Sequence, residues 1–578
     1  MIFATNNAHK LQEARAILAG FDEIVSLNEC GFSEEIPETA DSFEGNALIK
    51  AKTIYEKLGK PCFADDSGLV VPALNGAPGV KSARYASENG PVNHHANNLK
   101  LLSELQGLSR EAYFTTVICL YGFTPEPVFF YGKVEGTIAE SLTGSSGFGY
   151  DPLFIPQGYN QTFSELGDEI KNTLSHRYHA LMKMRQFFSK IPPIDLEEYN
   201  YSFDEALIAY HPVQPKDHSR LLVFQNKEIQ HKHFYDLPQF LKSDTLLVAN
   251  DTKVIPARFW FLNSKGQSIQ VFLLKPLDSN WIFWEAMIGN RKKFKENESL
   301  VLENDGLRLR VSWENRESNT IRLAADGGSI HDAIEKFGQV PLPPYIEREV
   351  QDGDRLDYQA IFASKEGAVA APTASLHFTQ NLWSKLDDLG IKKSFVTLHV
   401  SAGTFKPVTA RFANEHEMHA ERFEVTLDLI DTLLNKRTGV TAIGTTSCRV
   451  LESLFFLGCK FALGRTEEVF VSSEDGYHPD FDTFNIETAL LALREWVLKE
   501  GGVLQGETQI FIVPGYKFRL VQQLITNFHQ PKSTLILMIS CFLGDDWKKV
   551  YASALGEGYR LFSYGDSSLL QGRHEIRW

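Results

Sequence analysis

The proline pair Pro192-Pro193 constrains this chain more than any other feature. It follows SHRYHALMKMRQFFSKI (175–191), in which Ser175 suits a helix N-cap and Leu181, Met184, Phe188 and Ile191 fall on one helical stripe. Proline cannot continue that helix, so the chain must break here, ahead of the acidic IDLEEYN. No motif recurs on the two sides. Two unrelated modules, 1–191 and 200–578, are therefore expected rather than a duplication. At about 100–200 residues per domain, 578 residues predict three or four domains in all.

A hydrophobic content of 43% with 23% charged residues is ordinary globular composition and argues against long disorder. The net charge is −15, divided as −6 over residues 1–191 and −9 over the rest. Neither part is basic, which excludes generic nucleic-acid binding but leaves room for a folded RNA on a local patch. Six scattered cysteines without a CxxC pair predict reduced thiols and a cytoplasmic protein. MIFATNNAHK is too polar for a signal peptide. The apolar run Leu535–Leu543 is far shorter than the roughly 20 residues of a bilayer span, so no membrane segment is expected.

In the first module, IFAT (2–5) predicts a short buried strand, a polar turn and then the helix LQEARAILAG. Such a turn is either a capped strand–helix junction or an anion site on a helix N-terminus, where Asn6, Asn7 and Lys10 would face a phosphate. Glu44, Ala47 and Lys50 share a face of the helix predicted in SFEGNALIKAKTIYEKLG (42–59), ordinarily a solvated one. In CFADDSGL (62–69), two adjacent carboxylates, Asp65 and Asp66, stand where a strand is expected to stop, which suggests a cation. GSSGFGYDPLF (144–154) is either a flexible loop or a close backbone approach to a ligand. Lys171, His176 and Arg177 surround a helix start and suit an anion or a base edge.

Taken together, ATNNAHK, SFEGNALIKA, ADDSGL, GAPGVKSARYA, GFGYDPLF and SHR resemble the inosine triphosphate pyrophosphatase-like family over residues 1 to about 190. The resemblance implies an α/β fold with a mixed sheet. It implies hydrolysis of non-canonical purine triphosphates, such as those of inosine, deoxyinosine and xanthosine, to monophosphate and pyrophosphate. It places Mg²⁺ on Glu44, Asp65 and Asp66 at a strand end, with Asp66 as general base. Thr5, Asn6, Asn7, Ala8, His9 and Ser67 would bind nucleotide, and Lys10, Lys50 and Lys171 would neutralise the triphosphate. Phe148, Gly149, Tyr150 and Asp151 would read the purine with His176 and Arg177. A homodimer through this module is a further expectation.

In the second module, QVFLLKP and WIFWEAMIG run as in antiparallel β structure. EHEMHAERF (415–423) crowds two histidines and three glutamates, but it lacks the HExxH spacing and reads as local surface rather than a zinc site. TTSCR (445–449) is either a capped helix start or a site, with Cys448 a small buried residue. From about Tyr201 to Ile576, IAYHPVQPKDHSRLLV, VANDTKVIPAR, APTASLHFT, VTLHVSAGTFKPV, EMHAERF, IGTTSCRVLES, GETQIFIVPGYKF, ITNFHQPKSTLILM and FSYGDSSLL resemble the S-adenosylmethionine:tRNA ribosyltransferase-isomerases of queuosine biosynthesis. Ser375 and Ser401 stand where glycine is expected, which would narrow the pocket.

This resemblance implies an α/β module with an antiparallel β-barrel inserted near residues 255–345. S-adenosylmethionine would be a substrate, its ribosyl part passing to 7-aminomethyl-7-deazaguanine at a tRNA wobble position to give epoxyqueuosine. Proton transfer would fall to residues among His377, His399, His419, Glu421 and His529. Asn250, Asp251, Thr373, Thr404, Thr445, Thr446, Ser447 and Arg449 would orient substrate, and Arg258, Lys406, Arg411 and Lys532 would meet RNA phosphates. The rival expectation is that one module is catalytically silent and serves as a binding or dimerisation element.

Overall fold

The computed structural model describes residues 1–18, 23–34, 36–87, 92–144, 148–167, 170–171, 174–400, 410–436, 439–467, 469–573 and 576. The chain forms two compact units, Met1–Ser189 and Lys190–Trp578.

The first unit is a five-stranded mixed sheet in chain order: Ile2–Phe3, Cys62–Val70, Glu111–Tyr121, Val128–Ile138 and Phe154–Pro156. The first pair is parallel and the other ladders are antiparallel. On one face Phe3 stacks on Phe63 at 4.4 Å and packs with Ala180, Leu181 and Met184 of the helix His176–Phe188. Ser175 caps that helix by accepting from the Tyr178 N–H, as the sequence predicts. On the other face Ala47, Ala51 and Ile54 of the helix Phe43–Leu58 cover Cys62, Ala64 and Cys119.

The second unit is built on a ten-stranded mixed sheet. Its centre is four parallel strands in the order Lys392–Leu398, Leu246–Asn250, Val440–Ile443, Gln523–Asn527. Ser567–Gln571 pairs antiparallel with the last of these and parallel with Arg220–Gln225. Leu246–Asn250 and Val440–Ile443, in the middle of the four, are buried along their whole length, as expected of a parallel sheet covered on both faces. The helix Gly444–Ala462 runs through the main core, where Cys448, Val450, Leu454 and Phe455 are all fully buried.

Between Arg258 and Asp326 the chain forms a separate six-stranded antiparallel sheet. It has its own core of Phe259, Phe261, Val271, Trp284, Leu309 and Val311. This is the expected insertion. It appears as a sheet whose order runs from Arg258–Leu262 to Ser299–Asn304, and among the described residues no ladder joins those two edges.

Gly458 marks a close helix–helix approach in the main core. A Cβ there would lie 2.1 Å from the Ala489 carbonyl oxygen, in the helix Ile486–Lys499. Alanine in a helix ordinarily gains about 1 kcal/mol over glycine, whereas overpacking costs about 1–3 kcal/mol. The backbone oxygen cannot turn aside, so Gly458→Ala is expected to destabilise the second unit. A scanning-calorimetry transition lowered by a few degrees checks it.

Candidate functional site

In the first unit the short strand Ile2–Phe3 ends beside Phe63, and its partner strand runs on past that point, paired on its other side with Glu111–Tyr121. Asp65 and Asp66 lie just there. They sit inside the strand Cys62–Val70, not at its end, and successive strand residues face opposite ways. Asp65 takes Lys10 Nζ at 2.8 Å on Oδ1, and Arg177 Nε at 3.1 Å with the Ser67 hydroxyl at 3.0 Å on Oδ2. Burial favours the neutral acid, but Lys10, Arg177 and Lys50 outweigh it and hold Asp65 well below the usual carboxylate range.

Asp66 faces the helix Phe43–Leu58. Asn46 Nδ2 donates to its Oδ2 at 3.1 Å, and Lys50 Nζ stands 3.5 Å from its Oδ1. Lys50 is held more closely by Glu38, at 2.8 Å, and by the Asp65 carbonyl, at 2.6 Å. Burial raises the Asp66 pKa; Lys50 opposes this and Glu38 reinforces it. Asp65 and Asp66 therefore face opposite sides of the strand, each with its own cation partner. Glu44, the third expected metal ligand, is exposed and accepts from the Tyr131 hydroxyl. Among the described residues no group of three His, Cys, Asp or Glu side chains could hold a metal.

The turn after the first strand is a capped junction. The Asn7 side chain accepts from the Lys10 N–H, Thr5 Oγ1 accepts from the Asn7 N–H, and Asn6 Oδ1 accepts from the Asn28 N–H. Ala8 and His9 begin the helix Ala8–Ile17, and His9 stacks on Phe148 at 5.6 Å. Lys171 Nζ lies 4.4 Å over the same ring and pairs with Asp151 at 2.6 Å, while Asp151 also accepts from the Phe148 N–H. Gly149 accepts from Asn98 through its carbonyl, and Tyr150 donates to the Ser82 carbonyl. The structure thus gathers His9, Phe148 and Lys171 into one aromatic and cationic edge.

Arg177 does not reach that edge. It is 2% exposed and clamps Asp65 to Glu13, with its Nη1 2.5 Å from Glu13 Oε2. His176 is buried too, stacked on Phe114 at 4.8 Å, and burial keeps its pKa well below the ordinary histidine value. Both sit at one helix start, whose Ser175 hydroxyl donates to Glu13, the carboxylate that also takes Arg177. Sequence reasoning missed Glu13, Glu38 and Asn46. Glu38 precedes a helix and Asn46 lies within it, so neither carried a signal of its own.

In the second unit the sheet assembles the polar clusters. The carboxyl ends of the four parallel strands deliver Asn250, His399, Gly444 to Ser447, and Asn527 to one edge. That edge is the usual ligand side of an open parallel sheet. Asn527 donates to His377 Nε2 at 3.2 Å and accepts from Thr373 Oγ1 at 3.0 Å, and Ser219 bonds His377 Nδ1 at 2.8 Å. Burial lowers His377 to about 3, so it is neutral at ordinary pH. His529 bonds Thr526 Oγ1 at 2.8 Å and is lowered by burial to about 4. His399 bonds Thr252 Oγ1 at 3.1 Å and is likewise lowered by burial. His419 is exposed. Glu421 is buried and pairs with Arg449.

Some expected contacts turn out to be internal. Asn250 spends its side chain on the backbone of Leu398 and Thr252, and Asp251 accepts from Thr397 and Ser364. The Arg258 guanidinium donates to the Leu342 carbonyl and lies 5.2 Å over Phe272. Lys532 pairs with Glu197 and Arg411 with Asp195, surface pairs that are weak and readily exchanged for phosphate. Thr445 begins the helix Gly444–Ala462 and is half-buried. Ser375 is fully buried in the turn Thr373–His377, while Ser401, Thr404 and Lys406 lie outside the described residues.

The neutral histidines predict a pH dependence. The unfolded chain protonates histidine near the ordinary value of about 6.5, whereas folded His377 resists a proton down to about 3. Stability of the second unit is therefore expected to fall as pH drops through that window, on the order of 1 kcal/mol per pH unit for this residue. Urea unfolding of wild type and His377→Asn between pH 7 and pH 4 checks it, the variant showing the shallower slope.

The comparisons match this division. Residues 1–187 match the Ham1 family and residues 196–570 the queuosine biosynthesis protein family. The S-adenosylmethionine:tRNA ribosyltransferase-isomerase of Sulfurihydrogenibium sp. is 37% identical over 382 residues, which is 65% of this chain and 99% of that one. The Ham1 protein of Staphylococcus aureus is 38% identical, covering 32% of this chain and 96% of its own, with a TM-score of 0.30. A nucleoside-triphosphatase / dITP/XTP pyrophosphatase of Mycobacterium abscessus is 41% identical, covering 32% of this chain and 97% of its own, with a TM-score of 0.28. The chain therefore belongs, over residues 196–570, to the queuosine biosynthesis protein family, and carries ahead of it, over residues 1–187, a module of the Ham1 family.

Proposed function

We propose that both modules are catalytic. The first hydrolyses non-canonical purine triphosphates to monophosphate and pyrophosphate. The second moves and isomerises the ribosyl group of S-adenosylmethionine onto 7-aminomethyl-7-deazaguanine in tRNA. The observation that carries the first reading is Asp66, a carboxylate whose affinity for a proton is raised by burial, beside two lysines anchored by acids. Asp66 takes the proton of the water that attacks the α-phosphorus. Lys10, Lys50 and Lys171 spread their charge over the triphosphate and stabilise the leaving pyrophosphate. Phe148 and His9 offer the base an aromatic face.

Asp66 Oδ1, with only its 3.5 Å contact to Lys50, and exposed Glu44 are hard oxygen donors of the kind Mg²⁺ takes alongside substrate phosphates. They would hold the ion, which supplies charge neutralisation when bound. Pyrophosphate release from inosine, xanthosine and guanosine triphosphates tests the reading. The first two are expected to be the better substrates because hydrogen-bond readout of exocyclic groups discriminates strongly; equal rates on all three would reduce the module to a general nucleotide hydrolase.

For the second module the supporting observation is the single edge on which Thr373, His377, His399, Thr446 and Asn527 converge. The neutral histidines suit proton exchange with a sulfonium-activated carbon and a departing adenine. Lys532 and Arg411, at the surface, suit tRNA phosphates around a splayed-out wobble base.

A further inference from the structure

The second unit contains a buried ion pair that uses half of its bonding capacity. Glu421 opens the strand Glu421–Thr426, and Arg449 lies in the second turn of the helix Gly444–Ala462. Arg449 Nη1 donates to Glu421 Oε2, and Arg449 Nε donates to the Ile510 carbonyl at 3.3 Å. Glu421 Oε1 and Arg449 Nη2 have no partner among the described residues, although the two residues are only 3% and 6% exposed. A facing guanidinium and carboxylate can close a bidentate fork. Here the fork is open, and a dry, unbonded charged donor and acceptor together cost more than a neutral bond left unmade. The open positions complement a group that brings a negative acceptor and a positive donor side by side.

The start of the same helix carries independent evidence of a ligand. Ser447 Oγ, Thr446 Oγ1 and Ser375 Oγ are also buried without partners among the described residues, and Ser447 and Ser375 are wholly buried. Ser375 belongs to this neighbourhood. A Cβ on Gly444 would stand 3.7 Å from Cβ of the adjacent Ala374 and 3.6 Å from Thr446 Oγ1. A helix N-terminus with free N–H groups and hydroxyl donors favours a carboxylate.

We propose that the Glu421–Arg449 pair and the start of the helix Gly444–Ala462 hold the α-amino-carboxylate end of S-adenosylmethionine. The inference rests on the reading of the second module as a user of that substrate. The carboxylate lies on Arg449 Nη2 and on Thr446 Oγ1, which is three residues earlier on the same helix face, and the ammonium lies on Glu421 Oε1. Glu421 is thereby a holding residue rather than a proton-transfer residue.

Calorimetric titration of the intact wild-type chain with S-adenosylmethionine and with its decarboxylated analogue tests the assignment. The analogue is expected to bind about 10–100-fold more weakly, the value of a lost charge-assisted bond. Arg449→Gln is expected to close that gap by weakening only the parent compound. Equal affinities for the two compounds in wild type overturn this inference while leaving the reading of the module intact; failure of wild type to bind either overturns both. An unchanged gap in an Arg449→Gln chain that melts like wild type also overturns it. If the variant does not fold, the wild-type pair of titrations decides.

Discussion

Replacing Asp66 with asparagine is expected to lower pyrophosphate release from inosine triphosphate by about 10²- to 10⁴-fold, the usual range for loss of a positioned general base. Asparagine keeps the size of the side chain and can still meet Asn46, so folding should survive. The change should fall on kcat more than on KM, since triphosphate binding stays with Lys10, Lys50 and Lys171. A steady-state comparison with wild type decides it. Full activity in the variant would move the base elsewhere, with Glu38 an alternative, as it shares Lys50 with Asp66.

The second large effect concerns Arg177. Arg177→Met is expected to destabilise the first unit by about 3–5 kcal/mol, because two buried carboxylates, Asp65 and Glu13, lose their shared cation. Denaturant unfolding followed on the first unit measures this. If Arg177 instead read the purine edge, stability would hold and KM for inosine triphosphate would rise. The 2% exposure of the side chain favours the first outcome.

These two residues show what could be read from sequence and what could not. The Ser175 cap, the strand–turn–helix at the start and the antiparallel pairing of the segments around QVFLLKP and WIFWEAMIG all rest on local rules, and each appears in the structure. The strand was expected to stop at Asp65 and Asp66, yet it runs on to Val70. Gly68 is there for another reason: a Cβ would lie 2.5 Å from the Gly79 carbonyl oxygen, so the glycine admits a neighbouring segment into a strand that continues. Once the strand continues, its alternation sends the two carboxylates to opposite faces. The partner of Arg177, Glu13, lies 164 residues away in the chain, so no local pattern shows the pair. Asn250 ties adjoining strands through Leu398, again a partner distant in sequence. In each case a long-range contact, invisible to local pattern, set the role of the side chain.

The central claim is that one chain carries two working chemistries. It is tested most directly on a single preparation of the intact protein, assayed for pyrophosphate from inosine triphosphate with Mg²⁺ and for adenine released from S-adenosylmethionine by tRNA bearing the aminomethyl-deazaguanine base. Catalytic turnover of both products is predicted. Absence of either product, from protein whose two units both show cooperative unfolding, would contradict the claim and leave that module a binding or dimerisation element.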